Sequence, residues 1–179
     1  LPQLHVIAAG SLLEFALSEI PSFGVGRIRS MILYPLSFDE FMEVIGEHAL
    51  LEAKKNANSK KPLSEPVHRK LISLVKRFLI LGGMPEVIST YVQQNSLQAC
   101  GQVLDDLITS MKSDFAKYKN RIPYLRIAEV FDSVVRQSGG KFVYAKAATQ
   151  FTSKQTKEAL DLLIMAGLVI PVTHTSANG

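Results

Sequence analysis

The chain has 179 residues, 47% of them hydrophobic, and a net charge of +4, which excludes an intrinsically disordered polymer and gives enough area for one large domain or two small ones. No apolar run reaches the ~20 residues of a membrane span, and Leu1 to Gly10 lacks a cationic leader segment. A single cysteine, Cys100, rules out an internal disulfide and fits a reducing, cytoplasmic setting.

Charge is unevenly spread. Residues 1–53 hold two arginines against seven acids, a balance of −5, whereas residues 54–179 hold eighteen Lys/Arg against nine acids, a balance of +9. A basic C-terminal part points to a polyanionic partner or to an ordinary solvated basic surface.

In chain order, Leu4 to Ala9 has the two-faced apolarity of an interior parallel strand. Gly10-Ser11 and a short apolar helix, Leu12 to Leu17, follow. Gly24 and Gly26 mark a loop, and Arg29 to Leu33 reads as a second strand. Ser37-Phe38-Asp39-Glu40 has capping-box spacing and opens a helix with Phe38, Phe41, Met42 and Ile45 on one face. Residues 54–64, polar and cationic with a proline, read as a loop or linker.

Three helices are expected next. The first runs from about Val67 to Leu79 and stops at Gly82-Gly83; the second starts at Pro85; Ser96 caps the third, striped by Leu97, Cys100, Val103, Leu104, Leu107, Ile108, Met111 and Phe115. Pro123 then opens a helix with Ile127, Ala128, Phe131, Val134 and Val135 inward, ended by Gly139-Gly140. Lys141 to Tyr144 reads as a short strand and Ala145 to Gln150 as a short helix. Thr152-Ser153-Lys154-Gln155 is a second capping box, opening a helix that stops at Gly167, and Leu168 to Val172 reads as a strand. Helix, helix, turn, helix, strand is the order of a winged helix-turn-helix.

The fold expected is mainly α: a helical domain at 54–119 and a winged helix at 120–179, preceded at 1–53 by a small α/β remnant of a larger core. The first strand opens the chain with nothing before it, so both ends read as fragment boundaries. Exposed apolar edges on the remnant would then favour self-association.

Several of these segments together resemble a prokaryotic AAA-type P-loop ATPase family with a C-terminal winged helix and a domain of unknown function. Val6 to Ser11 resembles the strand and T-G-S turn after the family's Walker B strand, with Ala9 in place of the threonine. Gly26-Arg27 is similar to its G-R signature, and Leu33 to Phe41 to its L-x-P-L-S-F-x-E-F motif. Leu81 to Glu86 is similar to its G-G-[F/M]-P-E motif, Asp114 to its acid before the winged helix, and Ile164 to Val169 to the exit from the recognition helix. The resemblance implies that ATP and Mg²⁺ belong to a parent protein whose phosphate loop precedes Leu1, and that this fragment alone is not catalytic. A G-x-x-x-x-G-K-[ST] loop does not occur in these 179 residues.

Two candidate catalytic residues follow from the resemblance: Ser11 as a γ-phosphate sensor, with a helix cap as its alternative, and Arg27 as an arginine finger, with pairing to Glu14 or Glu19 as its alternative. No metal site is expected, because His5, His48, His68 and His174 lack ligand spacing. The candidate DNA-binding residues are Lys141, Lys146, Lys154, Thr156 and Lys157, since Lys141 to Lys157 contains no acid and Lys154, Thr156 and Lys157 open the expected recognition helix. The competing role for that helix is packing on the missing ATPase core as a lid or interaction surface. The alternatives for the whole chain are a stand-alone winged-helix DNA-binding regulator, or an interaction module whose helices at 65–118 dock a partner. The partners expected are duplex DNA, the missing core and a second copy of the chain, with no membrane.

Overall fold

A computed structural model of the protein describes residues 4–7, 10, 29, 31–118, 122–147 and 150–175, and it is mainly helical. The chain divides into two compact units: Met31–Met111, and Lys112–Gly179 with Leu1–Ser30. The expected helix at Leu12–Leu17 and the loop at Gly24 and Gly26 lie outside the described residues.

In the first unit, α1 is Phe38–Val44, α2 His48–Asn56, α3 Glu65–Leu81, α4 Pro85–Gln94 and α5 Leu97–Asp114, whose last three residues fall in the second unit. The capping box at the start of α1 forms as its spacing requires. The Glu40 backbone N–H donates to Ser37 Oγ at 3.3 Å, and the Ser37 backbone N–H donates to the Glu40 carboxylate at 2.7 Å. Two of the orphan donors at the helix start are thereby met, and the Ser37 backbone N–H and hydroxyl, both donating to the Glu40 carboxylate, hold that carboxyl below the usual carboxylate range.

The helix that the apolar stripe predicts from Ser37 is broken at Gly46. Gly46 takes φ +78°, the Glu47 N–H reaches back to the Met42 carbonyl, and the Gly46 N–H bonds the Glu43 carbonyl. This Schellman stop lets a second helix start at His48 and run through Asn56, so the expected linker at 54–64 is helical in its first turn. The remainder is a tight turn in which the Asn58 side chain accepts from the Lys60 and Lys61 backbone N–H groups, both at 3.0 Å. One core joins Phe41, Met42, Leu50 and Leu51 to Leu71, Leu74, Leu81, Val87, Ile88, Tyr91 and Cys100, on both sides of the 53/54 boundary drawn from the sequence.

The two glycines after α3 do different work. Gly82 has φ +71° and ψ −170°, a conformation open to glycine alone. At Gly83 the reason is contact. Its carbonyl accepts from the Leu36 N–H at 2.7 Å, and a β-carbon there would lie 2.2 Å from the Leu36 carbonyl oxygen. The L-Y-P-L-S-F-D-E-F and L-G-G-M-P-E segments, more than forty residues apart in sequence, therefore meet backbone to backbone.

In the second unit, Phe115–Tyr118 forms a 3-10 turn, followed by α6 at Tyr124–Gln137, the one-turn α7 at Tyr144–Ala147 and α8 at Ser153–Met165. Phe115, Ile122, Ile127, Val130, Ala159, Leu160, Leu162 and Leu163 form its core. The second capping box is present, with the Gln155 N–H donating to Thr152 Oγ1 and the Thr152 N–H donating to Gln155 Oε1. Gly167, at φ +70°, closes α8 with the same Schellman pattern as Gly46, its partner bond running from the Leu168 N–H to the Leu163 carbonyl at 3.0 Å.

The described residues contain no strand. At Lys141–Tyr144 the reason is local. Gln137 Oε1 accepts from the Val143 N–H at 2.8 Å while its Nε2 donates to Ser133 Oγ at 3.0 Å, so a side chain occupies the place a ladder neighbour would take. At 168–172 the first two N–H groups are spent on the Leu163 carbonyl, and Ile170 and Val172 stand 76% and 92% exposed without a neighbouring strand. Residues 4–7 and 31–34 are likewise exposed non-helical chain rather than strands.

Candidate nucleic-acid interface

The helices α6, α7 and α8, with the segment between α6 and α7, carry the lysines that the sequence singles out. α6 and α8 pack on each other through Ile127 and Val130 on one side and Ala159 and Leu163 on the other, and α7 contacts both. That packing fixes which face of α8 is left for solvent. Lys154 and Lys157, three residues apart, are exposed and share a side of the first turns.

Thr156 is turned the other way. It is fully buried, and its hydroxyl has no hydrogen-bond partner among the described residues. The expectation that Thr156 contacts DNA is therefore corrected: the inward register set by Ala159, Leu160 and Leu163 takes position 156 with it. Lys146 is exposed in the short α7, and Lys141 is exposed in the segment after α6. Among the described residues none of these four lysines is in an ion pair, whereas Lys112 and Arg126 are engaged. Lys112 Nζ bonds Asp132 at 2.7 Å and lies 6.0 Å from the Phe131 ring centroid. Arg126 sits 5.3 Å from the Phe151 ring and 3.5 Å from Glu158.

Arg126 and Phe151 were not marked by the sequence as a pair. Together with the Gln150–Glu129 side-chain hydrogen bond, they tie the turn before α8 back to α6 and set the angle at which α8 begins. The only signal available beforehand was an arginine one residue before the inward Ile127. Two acids, Glu158 and Asp161, are exposed further along α8, so the cationic face is confined to its N-terminal half, where the helix dipole also favours an anion.

Ser11 and Arg27 lie outside the described residues. Asp114, at the end of α5, is half-buried and engaged. No group of three His, Cys, Asp or Glu side chains among the described residues is placed to hold a metal, and no helix is long and apolar enough to cross a membrane.

The chain belongs to a family defined as a domain of unknown function (DUF8612), whose model matches residues 72–179, from the middle of α3 through the three-helix unit. No curated protein and no solved structure matches it.

Proposed function

We propose that this chain is the C-terminal part of a AAA-type P-loop ATPase, in which the 31–111 unit relays nucleotide state to a winged-helix module formed by the last helices. The observation that carries this reading is the backbone junction between Leu36 and Gly83. It gives a physical reason for the two most specific motifs of the resemblance to occur in one chain, because each supplies half of a contact that tolerates no β-carbon. The run Met31-Ile32-Leu33-Tyr34, 66–98% exposed, supports it further, since such a segment suits a strand whose sheet neighbours belong to an ATPase core. Ser11 and Arg27 are then the residues that sense and neutralise the γ-phosphate. The test is steady-state ATP hydrolysis by the protein encoded with the sequence upstream of Leu1. Arg27→Ala is expected to slow turnover at least tenfold, on the scale of arginine-finger losses. An upstream sequence without G-x-x-x-x-G-K-[ST] sinks the reading.

A second reading, that the module contacts duplex DNA, is favoured by the four exposed lysines, which have no acid partners among the described residues. Counterion release predicts a log–log salt slope that falls by about 1.8 when Lys154 and Lys157 are both changed to glutamine, at ~0.9 per phosphate contact. An unchanged slope assigns those lysines to solvent or to a protein surface.

A further inference from the structure

Val44 and Val92 each line two hollows on the 31–111 unit. One hollow, of about 270 Å³, is apolar and lies between Leu36, Pro85 and Ile88. The other, of about 300 Å³, is bounded by Leu74, Tyr91 and Arg77. The two adjoin at these side chains, the first lined mostly by apolar groups and the second bordered by Arg77 at a cationic end.

The cationic end is built rather than incidental. Arg77 Nη1 donates to Tyr91 Oη at 2.7 Å, and the guanidinium carbon lies 5.8 Å from the Tyr91 ring centroid. Tyr91 is buried, 9% exposed, so the phenol holds the guanidinium in one place. That bond uses one of the five guanidinium donors and leaves the phenolic proton to be donated elsewhere. Among the described residues no carboxylate pairs with Arg77. The acid on the rim, Glu47, is taken by Lys70 at 3.0 Å.

We propose that this groove binds a peptide segment in which a carboxylate adjoins a branched aliphatic side chain. The carboxylate meets the Arg77 fork and the Tyr91 hydroxyl, and the aliphatic group enters between Val44, Ile88 and Val92. Charge selects the occupant, since an unpaired guanidinium beside an apolar slot favours an acid with an apolar neighbour over either feature alone. The site is independent of the ATPase reading and of the lysines of the second unit.

The test titrates the ¹⁵N-labelled full chain with an acetylated and amidated hexapeptide of leucine and valine around one glutamate, and with its glutamine counterpart. The acidic peptide is expected to shift the backbone amides of Arg77, Tyr91 and Val92 and to bind about tenfold more tightly than the glutamine peptide, as hydrogen bonds to a charged group imply. Arg77→Met alters an exposed residue, so its amide dispersion stays native; it removes the preference for the acid. Val92→Asp weakens both peptides by filling the apolar slot with charge. Equal binding of the two peptides, unchanged selectivity in Arg77→Met, or no shift at these amides at millimolar peptide would each overturn the proposal.

Discussion

In residues 31–111, three lysines are tied to acids of neighbouring elements: Lys54 to Asp39, Lys55 to Glu43 and Lys70 to Glu47. In the unit that follows, Lys112 and Arg126 are paired, but Lys141, Lys146, Lys154 and Lys157 are not, among the described residues. Exposed pairs of this kind are worth ~0–1 kcal/mol each, so the contrast says little about stability. What it changes is availability. The first unit spends much of its positive charge on itself, and the second leaves a cationic helix start without ion pairs among the described residues. The two units also differ in their capping boxes, one closed by an ionisable Glu40 and the other by a neutral Gln155.

The largest expected effects come from the two cores. Phe41→Ala and Ile127→Ala each delete a fully buried side chain and should cost about 4 and about 3 kcal/mol respectively. Hydrogen exchange should show the loss concentrated in the amides of the mutated unit. If Phe41→Ala exposes the α6 and α8 amides equally, the two units unfold as one and the comparison between them loses its basis.

Next come two glycines of opposite sign. Gly83→Ala drives a β-carbon into the Leu36 backbone and should cost about 2–3 kcal/mol, whereas Gly101→Ala, inside α5 with open space around it, should add up to about 1 kcal/mol. Denaturant midpoints decide the matter, and a neutral Gly83→Ala would remove the physical ground for the motif junction.

A smaller gain is expected from Thr156→Val, which keeps the shape and removes a buried hydroxyl without a partner; about 1 kcal/mol is the scale. Any duplex affinity should be unchanged in this variant, and a loss of affinity would return Thr156 to the DNA-facing set.

The smallest effect separates the two capping boxes by pH. Glu40 has its folded pKa lowered by the Ser37 bonds, so its contribution is complete above the ordinary carboxylate range and fades as pH falls through the lowered value. Gln155 has no such dependence. Thermal unfolding of Glu40→Gln should therefore lose the wild-type difference between neutral pH and about pH 3 that this box supplies. Retention of the full difference would assign it to other carboxylates.

Local chemistry was readable from the chain alone. Both capping boxes, the stops at Gly82 and Gly167, the start at Pro85 and the Ser96 cap follow from spacing, because each is decided within one helical turn. The interior positions Phe41, Cys100, Ile127 and Leu163 follow from helical period. The same period misplaces Leu79, Leu97 and Val135, which are 75%, 52% and 62% exposed, because an apolar stripe is broader than the face its neighbours cover.

What the tertiary structure decided is whatever depends on a distant partner. The segments read as strands at 29–33, 141–144 and 168–172 become strands only beside another strand, and for Val143 a glutamine side chain took that place. The inward turn of Thr156, the meeting of Leu36 with Gly83, and the seating of Arg77 on Tyr91 each join residues whose proximity no local pattern encodes. Sequence by itself determined the capping boxes, most of the glycine stops and which lysines stand without nearby acids, but not the separate helix His48–Asn56. Packing determined which of those residues face a core, a neighbour or a partner, because burial is a property of the assembled surface rather than of any single turn.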